Sequence, residues 1–249
     1  MTVIVYPDKD SLAKVTIARL CLAISDAGAQ REHVHVAIAG GSVGSSLIAG
    51  LASSPLAAHV NWSQVHVWWV DERFVPATSP DRNHVAVDDA LAALGLRAEH
   101  VHRMPSSDDA DTPTQGAQAY AAELARFTQN GAPMPVFDVV VLGMGPDGHI
   151  ASLFPHHPGL SVDSSGEPEQ VSLGITDSPK PPSGRISLSL AAINRARHVW
   201  VAAWGAEKAP AIARAIAGDD REDTPAAAVS GLEQTLWLTD LAGAGDAAS

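Results

Sequence analysis

The sequence predicts an α/β fold with a mostly parallel sheet covered by helices. Three observations point there. Apolar runs alternate with helical patterns along the chain. The central runs, 34–39, 65–70 and 137–142, are apolar at nearly every position instead of every second one, as in strands buried on both faces. Each of these runs stops at a glycine-rich or charged turn, the usual place for a ligand in such a sheet.

Taken in order, 3–6 reads as a short strand stopped by Pro7, and Asp10 or Ser11 caps a helix to about residue 27, with Leu12, Val15, Leu20 and Ile24 on its apolar side. The β-branched run 34–39 is a buried strand ended by Gly40-Gly41, and a helix follows over about 45–51. A strand over 65–70 stops at Asp71-Glu72-Arg73. Residues 83–94 read as a helix ended at Gly95, and 112–128 as a helix opened by Thr112-Pro113. The run 137–142 is the clearest buried strand, ended by Gly143-Met144-Gly145. The stretch 161–183, rich in Pro, Ser, Gly and charge, reads as surface chain. Strands are expected at 186–190, 199–204 and 235–238, a helix at 206–217, and a frayed tail over 242–249.

Composition narrows the class. With 249 residues, 46% hydrophobic and 18% charged, the chain is globular. Neither a dividing linker nor a repeat is visible, so one domain over 1–249 is expected. Lys and Arg number 16 against 28 Asp and Glu, a net charge of -12. That balance argues against a nucleic-acid surface, and any bound anion must meet a small local positive site. The single Cys21 excludes a disulfide framework and a cysteine zinc site. No basic segment followed by an apolar run opens the chain and no run is long enough to span a bilayer, so no membrane partner and a cytoplasmic location are expected.

Three segments fall at the carboxyl ends of strands. Gly40-Gly41-Ser42-Val43-Gly44-Ser45-Ser46 joins a strand to a helix. Its glycines let backbone N–H groups approach a ligand, the helix end adds partial positive charge, and the serines can donate, which together suit a phosphate. The lysine of a Walker loop is missing; an ordinary tight turn, or a G-x-S-x-G nucleophile elbow at Ser42, are the other readings. Gly143-x-Gly145-x-x-Gly148 also fits a dinucleotide fingerprint, with Asp163 at the expected distance, but Asp163 falls in a stretch read as loop. Asp147 and His149 set this turn apart, because a histidine held at a strand end is a natural general base. Asp71-Glu72-Arg73 follows Trp68-Trp69, so its charges close a buried strand. Arg185 and Lys208 lie beside later strands. His33, His35 and His156-His157 have no carboxylate or cysteine at ligand spacing, so no metal is expected.

The segment 139–155, Val-Val-Val-Leu-Gly-Met-Gly-Pro-Asp-Gly-His-Ile-Ala-Ser-Leu-Phe-Pro, resembles the signature of 6-phosphogluconolactonases. Trp69-Val70-Asp71-Glu72-Arg73-Phe74-Val75-Pro76 with Asp81-Arg82-Asn83 resembles their second motif. Gly184-Arg185-Ile186-Ser187-Leu188-Ser189-Leu190 with Ile193-Asn194, Gly205-Ala206-Glu207-Lys208-Ala209, and Thr235-Leu236-Trp237-Leu238 resemble the later ones, over about 3–240 in all. The resemblance implies a Rossmann-like three-layer α/β/α sandwich with a mostly parallel central sheet, shared with glucosamine-6-phosphate deaminases. It implies hydrolysis of 6-phospho-D-glucono-1,5-lactone to 6-phosphogluconate in the oxidative pentose phosphate pathway; no cofactor is expected, because the lactone is already activated, and a monomer is expected. The implied catalytic residues are His149, as base toward water, with Asp71 and Arg73. The implied substrate and phosphate contacts are Gly40, Gly41, Ser42, Arg73, Asn83, Asp147, Gly148, Arg185 and Lys208. Which of Arg73, Arg185 and Lys208 meets phosphate and which meets the oxyanion stays open. Val43-Gly44 stands where the family commonly has Thr-Pro. Two other readings remain: a deaminase, although Ser152-Leu153-Phe154-Pro155 lacks the acid that family carries in Phe-Asn-Glu-Pro, and a sugar-phosphate sensor, although no helix-turn-helix precedes Val3.

Overall fold

The computed structural model describes residues 1–128, 131–160 and 171–245. Along the chain run β1 (Thr2–Tyr6), α1 (Lys9–Gly28), β2 (Val34–Ile38), α2 (Gly41–Ser53), β3 (Val65–Trp69), β4 (Asp71–Arg73), α3 (Asp88–Ala93), β5 (Val101–His102) and α4 (Pro113–Ala125). There follow β6 (Val139–Leu142), β7 (Ser172–Ile175), β8 (Arg185–Leu188), α5 (Leu190–Asn194), β9 (His198–Ala203), α6 (Ala209–Ala217), β10 (Gln234–Asp240) and α7 (Leu241–Ala244).

Seven strands form one parallel sheet in the order β1-β10-β9-β6-β2-β3-β5. The strands β2, β3 and β6 are buried at every position, as their unbroken apolar runs require. From β2 the chain steps to β3 and β5; from β6 it steps the other way, to β9 and β10. Right-handed crossovers then place α1, α2 and α3 on one face and α4 and α6 on the other. The order reverses between β2 and β6, which opens a crevice beyond their carboxyl ends.

A second, three-stranded sheet, β4-β8-β7, is antiparallel. It branches from the large one at Val70, whose N–H donates to Ile38 of β2 (3.1 Å) and whose carbonyl accepts from Leu188 of β8 (2.7 Å). The run expected at 186–190 is thus a strand of this small sheet and not of the parallel one. Part of the 161–183 stretch is β7; residues 161–170, with Asp163, lie outside the described residues. Asp8, not Asp10 or Ser11, caps α1, accepting from the Ser11 N–H at 2.7 Å. The helix expected from 83 begins only at Asp88; ahead of it the N–H groups of Asn83 and His84 are bound by the Glu72 carboxylate. The helix expected from 45 already begins at Gly41. The first residues of the expected tail belong to α7, capped by Asp240; residues 246–249 lie outside the described residues.

Five histidines pack where β2, β3 and β5 run side by side. In the ladder His35 faces His66 and Trp68 faces His102. The His102 ring stacks on Trp68 (3.7 Å between centroids) and His100 on His66 (4.0 Å). One tautomer, Nδ1–H, satisfies a chain of bonds: His33 donates to His66 (3.1 Å), His66 to His102 (2.9 Å), and His102 to Glu123 (3.0 Å). Burial, reinforced by like charge on neighbouring rings, pushes His35 and His66 down to about 3. Burial also outweighs Glu123 and brings His102 to about 4. Between pH 6.5 and about 4 the unfolded chain therefore binds protons that the folded one refuses, and stability falls as pH falls, by up to about 1.4 kcal/mol per group per pH unit. Urea midpoints measured from pH 7.5 to 4 should drop most steeply inside that window; a flat profile there would refute charge-neutral burial of the stack.

Candidate active site

The crevice between β2 and β6 is a cleft of about 340 Å³. Its floor is the first turn of α2. Gly40 caps this helix in an extended conformation and Gly41 takes φ +66, a value that favours glycine. A Cβ on Gly44 would lie 1.8 Å from the Ala39 carbonyl oxygen, so the helix can start this close to β2 only with glycine there. That accounts for Gly44 at the second of the two positions where the family commonly has Thr-Pro. A Cβ on Gly40 would meet the Asn83 carboxamide at 1.9 Å. Asn83 uses that space: its Nδ2 donates to the Asp71 carbonyl (3.0 Å), and its Oδ1 accepts from the Gly41 N–H (3.3 Å).

The turn after β6 brings Asp147 and His149 together. Gly148, at φ +87, lets the chain reverse, and the Gly145 N–H donates to the His149 carbonyl (2.9 Å). A Cβ on Gly145 would strike the His149 ring. The His149 Nδ1–H donates to Asp147 Oδ1 (2.5 Å), and the ring stacks on Phe154 (4.7 Å). Lys180 pairs with the other Asp147 oxygen (2.9 Å) and stands 3.1 Å from His149 Nδ1. The ionised Asp147 can only accept, so the closer Asp147 contact puts a proton on Nδ1, Lys180 donates to Asp147, and in the neutral ring Nε2 carries the lone pair. Burial pushes the Asp147 carboxyl up, but the hydrogen bonds from His149 and Lys180 outweigh it and hold the group well below the usual carboxylate range.

In β4, Asp71 and Arg73 face the cleft. Asp71 Oδ2 accepts from the Ser152 hydroxyl (2.7 Å), and Arg73 pairs across the ladder with Arg185. The Arg185 guanidinium is spent on carbonyls of the Lys180 loop: Pro182 (2.8 Å), Lys180 and Pro181 (3.0 Å each). Lys208 enters from the turn after β9, above the Trp204 ring (5.5 Å). Burial pulls both Arg185 and Lys208 below their ordinary values.

Of the expected residues, Gly40, Gly41, Ser42, Asp71 and Arg73 line the cleft, as do Asn83, His149, Arg185 and Lys208. Asp147 and Gly148 stand behind the wall; Asp147 reaches the cleft through His149, and Gly148 packs on Thr224. Lys180 also lines the cleft, although a lysine in a Pro-rich surface stretch carries no signal in sequence. Ser42 lies in the first turn of a helix; positive φ outside glycine occurs, among the described residues, at Ala151 and His156, so Ser42 lacks the strained backbone of a nucleophile elbow. Among the described residues no three His, Cys, Asp or Glu side chains group as metal ligands. A second cavity, about 300 Å³, lies at the amino ends of β6 and β9, where Arg31 pairs with Asp138 (3.2 Å) and Arg197 with Glu233 (2.6 Å).

Four cations, Arg73, Lys180, Arg185 and Lys208, line the cleft against one acid, Asp71, in a chain of net charge -12. Among the described residues, none of Arg73, Arg185 and Lys208 has a carboxylate within ion-pair distance. Fold and site together define an α/β protein with a cation-lined cleft at its topological switch point, in which a histidine is hydrogen-bonded to a carboxylate. The family of glucosamine-6-phosphate isomerases/6-phosphogluconolactonase matches residues 7–237, and the chain belongs to that family. It is 44% identical over 246 residues to the 6-phosphogluconolactonase of Streptomyces coelicolor, covering 97% of this chain and 92% of that protein. To the Mycobacterium tuberculosis 6-phosphogluconolactonase it is 40% identical over 242 residues, covering 95% and 94%. Among solved structures, the 6-phosphogluconolactonase of Trypanosoma brucei superimposes with a TM-score of 0.75 at 28% identity, covering 98% and 97%.

Proposed function

We propose that the chain hydrolyses 6-phospho-D-glucono-1,5-lactone to 6-phospho-D-gluconate, the second step of the oxidative pentose phosphate pathway. The observation that carries this reading is the excess of unpaired cations around His149 in an otherwise acidic protein. Partly buried charges without counterions are costly, and a dianionic phosphate is the counterion they suit. The names of the full-length relatives agree.

The phosphate sits on the first turn of α2, on the N–H and hydroxyl of Ser42, with Lys208 and Arg73 beside it, while the Gly41 N–H stays with Asn83 and fixes the turn. That places the lactone carbonyl toward His149. Nε2 takes a proton from water as its oxygen bonds to the carbonyl carbon, while Asp147 holds the ring in the required tautomer and balances the imidazolium. The tetrahedral intermediate then collapses, the bond from carbon to ring oxygen breaks, and the imidazolium returns its proton to the departing oxygen. Asp71, fixed by Ser152, accepts from a sugar hydroxyl. Lys180 keeps Asp147 ionised, and Arg185 holds the Lys180 loop.

The deciding measurement is hydrolysis of freshly generated 6-phosphogluconolactone corrected for its spontaneous opening; a rate no higher than the spontaneous one defeats the reading. Lys208→Ala should raise KM about 10- to 100-fold, the loss of one charge-assisted hydrogen bond worth ~1.5–3 kcal/mol, with a smaller effect on kcat. An unchanged KM would move the phosphate elsewhere in the cleft. A deaminase reading lacks a second acid on the His149 turn, where Ser152 is buried against Asp71.

A further inference from the structure

Glu72 is the middle residue of β4, between two residues that face the cleft, so its side chain points the other way, and it is 1% exposed. Its Oε1 accepts from the N–H of Arg73 and of Asn83 (2.8 Å each), and its Oε2 from the N–H of His84 (3.2 Å). A buried carboxylate with three backbone donors is a strong local anchor. The segment it anchors is unusual in having no helix or strand of its own there, yet it carries Asn83. The carboxamide of Asn83 is the one that bridges the Asp71 carbonyl and the Gly41 N–H, in the space left by the missing Cβ of Gly40. Arg82, just before it, is 2% exposed and is tied to the carbonyls of Met104, Pro105 (3.2 Å) and Arg73 (3.4 Å).

These contacts form one continuous path from a buried acid to the first turn of α2. We infer that Glu72 is a positioning residue for phosphate recognition: it never touches substrate, but through Asn83 it sets the Gly40-Gly41 turn against the cleft. The inference rests on the reading that the α2 terminus holds the phosphate. It explains why an acid sits between two functional charges on a three-residue strand, where an apolar residue would bury more cheaply.

The test is steady-state kinetics of Glu72→Gln, Asn83→Ala and the double variant, with 6-phosphogluconolactone, with unphosphorylated glucono-1,5-lactone, and with inorganic phosphate as inhibitor. Gln keeps the shape but turns an N–H donor toward the His84 N–H. Glu72→Gln should raise KM for the phosphorylated lactone and Ki for phosphate about five- to tenfold, with kcat within about twofold and the unphosphorylated lactone unaffected. In the Asn83→Ala background it should add nothing further, since both act through one contact. A fall in kcat at constant KM, equal losses on both lactones, or independent effects in the double variant would overturn the inference. Should Glu72→Gln fail to fold, Asn83→Ala alone must raise the phosphate Ki, and an unchanged Ki would overturn it. A wild-type enzyme that does not distinguish the two lactones refutes the phosphate reading itself; one that does, with Glu72→Gln normal, refutes only the role of Glu72.

Discussion

His149→Ala is expected to lower kcat by roughly 10²–10⁴-fold, the usual worth of a positioned general base. KM should change little, because the phosphate contacts proposed above lie on α2 and on cations from other turns. The fold should survive: the ring stacks on Phe154 at the cleft edge and its removal opens no sealed cavity. Ser42→Ala should behave in the opposite way, raising KM with kcat nearly retained, since in the proposed reading its hydroxyl serves the phosphate. The pair of variants separates attack by water from attack by serine. Near-normal turnover in His149→Ala beside an inactive Ser42→Ala, with an ester trapped on Ser42, would overturn the assignment.

Removing the phosphate from the substrate should have a comparable effect. Two or more charge-assisted hydrogen bonds are lost at once, so kcat/KM for glucono-1,5-lactone should fall about 10²–10⁴-fold below that for the 6-phospho compound. Part of the loss should appear in kcat, because binding energy at the far end of the sugar is what holds the carbonyl near His149. Equal efficiency on both lactones would mean that the cations of the cleft serve some other anion.

The parallel core was readable from sequence because β2, β3 and β6 are continuous apolar runs and their ends coincide with the unusual turns. The small sheet was not. β4 is three charged residues that read as a turn, β7 lies in a polar, proline-rich stretch, and β8 has the composition of a core strand, so nothing local says that it leaves the parallel sheet. The same limit applies to the site. Gly41, Ser42 and His149 stand out because each sits in a turn whose chemistry is local. Glu72 and Lys180 do not, because their meaning lies in partners brought in by tertiary folding: Asn83 for one, Asp147 for the other. The histidine stack was invisible for the same reason, its rings coming from separate strands that meet only in register.

β1 pairs in parallel with β10, Thr2 opposite Leu236, so the first strand synthesised waits for the last. Until β10 emerges from the ribosome, β9 has an apolar edge without a neighbour and β1 has no place to dock. Contacts this distant in sequence make for slow final assembly. The His149 turn and the Gly40–Ser42 turn follow β6 and β2; β9 borders β6, and β10 must pair with β9 before that side of the sheet is complete. A nascent chain therefore has no stepwise gain of activity: truncations that remove β10 should be inactive and prone to aggregate, even though every residue of the cleft has already been made.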